Sequence, residues 1–204
     1  MSEVRLYLTD ASDLAGREGA CLPLLPLVRR REAAASRHQE ARLLCCAAGL
    51  LLRRVLGVRS DGDLSIGPLG KPALAAGGAE FSLSHAGCYA VLAVSRQAVG
   101  VDTEPVRLPH VLPRKVFSQA ELDWLAAHPE AEGFCLLWTR LESALKAEGC
   151  GLAGERRTFS LLRSGAPWHW ESLRYDGHLF TCAAQEPPDL RFTALSACAL
   201  LNGA

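Results

Sequence analysis

Val99-Gly100-Val101-Asp102-Thr103-Glu104-Pro105 reads as an apolar strand that ends in two acids and is stopped by a proline. Upstream lie two further strand candidates, Phe81 to Ser84 and Tyr89 to Ser95, and before them an Ala- and Leu-rich helix over about Ser36 to Leu56 that carries Arg37, Arg42, Arg53 and Arg54. Val4, Leu6 and Leu8 alternate with polar neighbours, the period of a half-buried strand, and the Gly- and Asp-rich stretch Gly57 to Gly78 reads as loop or turn. Downstream, Ser118-Gln119-Ala120-Glu121 has capping-box spacing and predicts a helix through Ala127, stopped by His128-Pro129. Glu130 to Glu148 carries Phe134, Leu137, Trp138, Leu141 and Leu145 as one apolar stripe and is closed by Gly149 and Gly151. Strands are expected near Thr158 to Leu162, Trp168 to Arg174, His178 to Ala183 and Phe192 to Leu200, with turns at Gly165, Gly177 and Pro187-Pro188. Each half thus runs from a long helix into strands. That order predicts an α+β fold of two lobes, residues 1–105 and 106–204, joined over Pro105 to Pro113.

The 204 residues, 49% of them hydrophobic, suffice for a substantial core. Lys plus Arg equals Asp plus Glu at 22 each, so no global field draws the chain to nucleic acid or a membrane. Charged partners must meet local clusters: Arg29 to Arg31, Arg53 with Arg54, Arg114 with Lys115, Arg156 with Arg157. The start Met1-Ser2-Glu3-Val4-Arg5 has no signal-peptide pattern and no later stretch is apolar enough to span a bilayer, so a cytoplasmic protein is expected. The eight cysteines form no Cys-x-x-Cys pair and are expected to be reduced and structural.

Asp102 and Glu104, two apart on a strand, leave the same face. Either the strand runs out into solvent there, or a cation lies between carboxylates that would otherwise repel each other; magnesium takes such oxygen ligands. Glu142 and Lys146, four apart on a helix, are neighbours worth roughly 0.3–0.5 kcal/mol as a surface pair. Trp138, one turn earlier, makes that ridge aromatic, acidic and basic in turn. In Gly70-Lys71-Pro72, a lysine before a rigid proline is placed to meet a phosphate as a point charge. Ser84 and His85, in Phe81-Ser82-Leu83-Ser84-His85, add donors at a strand end.

In this order, Gly70-Lys71-Pro72, Phe81 to His85, Val99 to Glu104 and Trp138-Thr139-Arg140-Leu141-Glu142-Ser143-Ala144-Leu145-Lys146 resemble the successive signatures of 4′-phosphopantetheinyl transferases of the surfactin-synthetase-activating type. The resemblance implies a pseudo-twofold pair of similar lobes, each a long helix on a small, mostly antiparallel sheet, with coenzyme A and Mg2+ in the cleft between them. It implies transfer of the phosphopantetheine arm to a serine of an apo acyl or peptidyl carrier protein. It makes Asp102, Glu104 and Glu142 the metal ligands, Glu142 and Lys146 the catalytic pair, and Lys71, Ser84 and His85 contacts to coenzyme A, with His85 at the 3′-phosphate. Arg30, Arg31 and Arg42 are the candidates for basic residues at that phosphate and the adenine. The family's usual lysine before the helix glutamate is Leu141 here, which continues the apolar stripe about 100° around the helix from Glu142. A monomer is expected, because two fused lobes already build one cleft. The rival readings are a non-catalytic binder of coenzyme A or of the carrier, and a magnesium-dependent pyrophosphate hydrolase.

Overall fold

The computed structural model describes residues 1–150, 157–165 and 167–203; Gly151 and Arg156, named above, lie outside them. In chain order the elements are β1 (Ser2–Asp10), α1 (Glu18–Cys21), α2 (Leu27–Ala35), α3 (Gln39–Leu56), β2 (Leu64–Ile66), β3 (Pro72–Leu74), β4 (Glu80–Ala86), β5 (Tyr89–Ser95), β6 (Val99–Pro105), α4 (Gln119–Ala127), α5 (Ala131–Glu148), β7 (His169–Tyr175), β8 (His178–Ala184), β9 (Pro188–Ala194) and α6 (Ala197–Asn202). This is a mixed α+β arrangement with small sheets, as expected from the order of helices and strands. One sheet has the order β4-β5-β1-β9 and another the order β6-β8-β7; β2 and β3 form a hairpin inside the stretch read as loop.

The apolar patterns decide how these layers stack. Leu43, Cys46, Ala47, Leu50 and Leu51 of α3 are packed with Phe81 of β4 and Ala90 and Leu92 of β5 on one face of the first sheet. The opposite face of that sheet, with Val4, Leu6 and Leu8 of β1 and Val91 and Ala93 of β5, meets Val99, Val101, Phe180 and Cys182 of the second sheet. Leu137, Leu141, Ala144 and Leu145 of α5 pack with Trp168, Trp170 and Ala183. Each fully buried leucine in these clusters is worth about 1.5–3 kcal/mol relative to exposure, which makes the stripes the dominant stabilising pattern.

Contact between β6 and α5 is unusually close. A Cβ at Gly100 would lie 1.8 Å from the Ser143 carbonyl oxygen and 2.6 Å from the Ala147 nitrogen, so any side chain there would push α5 off the strand. Gly149 then ends α5 in the left-handed region at φ 80, where a side chain is strained. The capping box at Ser118 forms as read: its hydroxyl accepts from Glu121 N at 3.4 Å, and Glu121 Oε2 accepts from Ser118 N at 2.8 Å.

Three sequence expectations are corrected. Residues 157–162 form no strand, because their backbone is tied to α4 and α5 by side chains instead of to a neighbouring strand. The strand expected over Phe192 to Leu200 ends at Ala194, and Ser196 caps α6, its hydroxyl accepting from Ala199 N at 3.4 Å. Residues 188–194, which a division at 105/106 puts in the second lobe, pair in parallel with β1 and complete the first sheet, and α6 packs beside α3. No helix among the described residues is long and apolar enough to cross a membrane.

Candidate active site

Because Gly100 draws β6 against α5, the residues on the same face of β6, Asp102 and Glu104, meet the ridge of α5 that carries Trp138, Glu142 and Lys146. β4 closes the third side. Its Phe81 and Leu83 point to the α3 core, which turns Ser82 and Ser84 the other way, toward β6. The Ser82 hydroxyl accepts from Val101 N at 3.0 Å, fixing the register of the two strands, and the Ser84 hydroxyl donates to Asp102 Oδ1 at 2.8 Å. The result is a cavity of about 430 Å3 lined by Ser84, His85, Asp102, Glu104, Glu142 and Lys146 among others, with Arg29 of α2 on its wall.

Lys146 reaches into the acids. Its Nζ donates to Asp102 Oδ1 at 2.6 Å and to the Ser84 hydroxyl at 2.9 Å. Asp102 is nearly inaccessible, and its second oxygen, Oδ2, is buried with no hydrogen-bond partner. Burial pushes the Asp102 pKa above the ordinary carboxylate range in spite of Lys146. Glu104 and Glu142 are also raised, first by burial and then by the charge of Asp102. Three desolvated carboxylates, two of them raised by the charge of the third, with one bare buried oxygen, are the type of donor that a hard divalent cation takes. As they stand, no three His, Cys, Asp or Glu side chains among the described residues are gathered closely enough to hold a metal ion.

The coenzyme A candidates fall into two groups. His85 stands at the cavity mouth, its surface open to water. The protein around it, and then the charges of Arg29 and Lys146, hold its pKa below the usual imidazole range. Lys71 lines an adjoining cavity of about 230 Å3 that shares Arg29 and Lys146 with the first. Its ammonium, however, donates to Ala147 O at 2.9 Å and Val99 O at 3.3 Å, so it ties the β2–β3 hairpin to the end of α5, and burial lowers its pKa. Arg30 spends its guanidinium on Leu25 O and Pro23 O at 2.8 and 2.7 Å, and Arg42 on Ser36 O and Arg37 O at 3.2 and 3.3 Å. Arg31 is exposed, and none of these three lines either cavity.

The arginine that does line both is Arg29, held by Glu32 at 2.6 Å. It belongs to the basic cluster visible in the sequence. Its distinguishing mark is position: it lies one turn before Ala33, the residue of α2 that is buried. Leu141 is 3% exposed and buried in the α5 core, where periodicity put it.

Residues 98–184 match the family model described as the 4′-phosphopantetheinyl transferase superfamily. This segment covers less than half of the chain. It runs from β6 through β8 and holds Asp102, Glu104, Glu142 and Lys146, whereas Lys71, Ser84 and His85 precede it. The chain is similar to the 4′-phosphopantetheinyl transferase Sfp of Bacillus subtilis (strain 168), 34% identical over 89 residues, which cover 41% of this chain and 39% of the relative. A second 4′-phosphopantetheinyl transferase of Bacillus subtilis is 31% identical over 103 residues, 48% of this chain and 42% of the relative. The matched stretch thus spans less than half the length of either curated relative.

Proposed function

We propose that this protein transfers the 4′-phosphopantetheine arm of coenzyme A to a serine of an apo acyl or peptidyl carrier protein, releasing 3′,5′-adenosine bisphosphate. The observation that carries the reading is the bare, buried Oδ2 of Asp102, beside two further desolvated carboxylates in a cavity also lined by Arg29, His85 and Lys146. The superfamily segment and the names of the two Bacillus subtilis relatives support the reaction class. On this reading α3 with β4–β5 and α5 with β7–β8, each a long helix followed by a hairpin, are the two related lobes of a pseudo-twofold fold. The chain acts as a cytoplasmic monomer.

Asp102, Glu104 and Glu142 would hold Mg2+, which when bound supplies positive charge against the pyrophosphate oxygens. The chain's own residues do the rest. Lys146 and Arg29 offer positive charge and donors to the phosphates, and His85 a ring donor at the cavity mouth; Arg29, which lines both cavities, is favoured over Arg30, Arg31 and Arg42 for the 3′-phosphate. Lys71 shapes the wall of the adjoining cavity by pinning its hairpin to α5. Glu142, directly or through a water, accepts the proton of the carrier serine as its oxygen attacks the β-phosphorus and the bond from that phosphorus to the bridging oxygen breaks. The serine comes from the partner, so no nucleophile of this chain is consumed.

The test is mass spectrometry of an apo carrier domain incubated with the protein, coenzyme A and magnesium. One added phosphopantetheine per carrier is expected. Free phosphopantetheine would make the protein a hydrolase, and unmodified carrier with coenzyme A still bound would make it a binder.

A further inference from the structure

Asp102, Ser84 and Lys146 form a closed triangle: hydroxyl to carboxylate at 2.8 Å, ammonium to hydroxyl at 2.9 Å, ammonium to carboxylate at 2.6 Å. Each bond uses an ordinary role, since the hydroxyl donates its one proton to Asp102 and accepts from Lys146 on a lone pair. Both partners sit on Oδ1, and Oδ2 is left bare. The Asp102 side chain is 6% exposed and that of Lys146 is 30% exposed, so Lys146 is the member of the pair with a route to water.

We propose that Lys146 is a built-in competitor for the metal position at Asp102, released when a pyrophosphate-bearing substrate gives its ammonium another anion. A divalent cation on Oδ2 and an ammonium on Oδ1 of one carboxylate are two positive charges a few ångströms apart in a site with little water to screen them. They cannot both be held tightly. Metal arriving alone must expel Lys146 into a cavity that Arg29 also lines. Metal arriving with the substrate leaves Lys146 a pyrophosphate to pair with, one turn of α5 beyond Glu142. The two ligands are therefore coupled through one lysine, and by thermodynamic reciprocity each raises the affinity of the other by the same factor. The device also keeps the three acids compatible while the cavity is open, since one of them carries its own cation.

The inference rests on the metal site proposed above, and the experiment separates the two. Mn2+, a hard cation that takes the same oxygen donors, is titrated calorimetrically into the full chain without coenzyme A. Wild type is compared with Lys146→Met, Lys146→Arg and Ser84→Ala, with Asp102→Asn as the site control and circular dichroism to establish folding. Lys146→Met is expected to bind Mn2+ at least ~10-fold more tightly than wild type, within the usual range of coupling between ligands. Lys146→Arg keeps a cation on Oδ1 and should stay near wild type. Ser84→Ala removes one of the two groups that hold Nζ and should bind about threefold more tightly. Adding coenzyme A should then help wild type more than Lys146→Met. Mn2+ binding that Asp102→Asn abolishes but that neither Lys146→Met nor Ser84→Ala strengthens overturns the competition and leaves the metal site standing. Mn2+ binding that is absent throughout, or indifferent to Asp102→Asn, overturns both. If Lys146→Met does not fold, Ser84→Ala decides alone.

Discussion

Glu121 and Asp102 are both acids withdrawn from water, and each faces a cation from a distant part of the chain, but their surroundings push them in opposite directions. Glu121, fully buried on α4, receives Ser118 N and Leu161 N at 2.8 Å each and two nitrogens of Arg157, the first at 2.7 Å. Burial alone would raise its pKa; these bonds hold it below the ordinary range. Asp102 has two donors crowded on one oxygen and none on the other, and burial prevails. A buried acid with every lone pair matched fastens segments together. One with a bare oxygen costs stability that only a further ligand offsets.

The largest test of this contrast is Glu121→Ala, which leaves Arg157 without its acid and strips Leu161 N of its acceptor. Urea unfolding should show a loss of about 3–5 kcal/mol. A loss below 1 kcal/mol would put Glu121 in the same class as Asp102.

Glu142→Gln should fold as wild type, while holo-carrier formation falls roughly 10²-fold or more. A magnesium titration separates weakened metal binding, which excess ion restores in part, from lost proton transfer, which it does not. Wild-type turnover in the folded variant would remove α5 from the chemistry.

A third test uses pH. Glu121, depressed in the folded state, contributes stability that is present above its ordinary 4.5 and lost as pH falls through its folded value. Asp102, raised in the folded state, binds its proton more firmly there, so stability declines as pH rises from the ordinary 3.8 toward its folded value. Asp102→Asn should therefore flatten the decline on that side while changing stability at neutral pH by only about 1 kcal/mol. Urea midpoints between about pH 3 and pH 8 decide it, and an unchanged profile would mean that Asp102 is not the strained acid.

The smallest effect is expected at the cavity mouth. His85→Ala should weaken coenzyme A about threefold more than 3′-dephospho-coenzyme A. Because His85 is held below the usual imidazole range, the difference should widen as pH falls and the ring gains its proton. Equal losses for both ligands would take His85 off the 3′-phosphate.

What the sequence made legible follows from how local each signal is. The stripe of α5 and the alternation of β1 encode burial within a few residues, and the expected helix Glu130 to Glu148 is observed as Ala131–Glu148. The adjacency of Asp102 to Glu142 was accessible only through motif order, because nothing local shows that Gly100 lets α5 lie against β6. The sequence around Lys71 shows a free charge, since Gly70 and Pro72 describe its backbone and not the carbonyls of Val99 and Ala147 that accept from it. Arg29 was visible as one of three arginines. Which of them turns toward the site depends on how Ala33 seats α2, a tertiary fact. The pairing of β9 is hidden for the same reason: the alternation of Asp189 to Thr193 marks a strand and does not name its partner.

That last strand sets the order in which the molecule can be assembled. β1 is made first, yet one of its two edges is covered only by β9, after all of the second sheet has been synthesised. Until then β1 presents an open row of backbone N–H and C=O groups, the surface on which strands of other chains add. The pairing spans nearly the whole sequence, so it closes late, whereas β6 to β8 and α5 need only neighbours made within the same stretch. A chain halted near residue 184 would carry the acids, Lys146 and the serines of β4, and would be prone to aggregate through its own first strand.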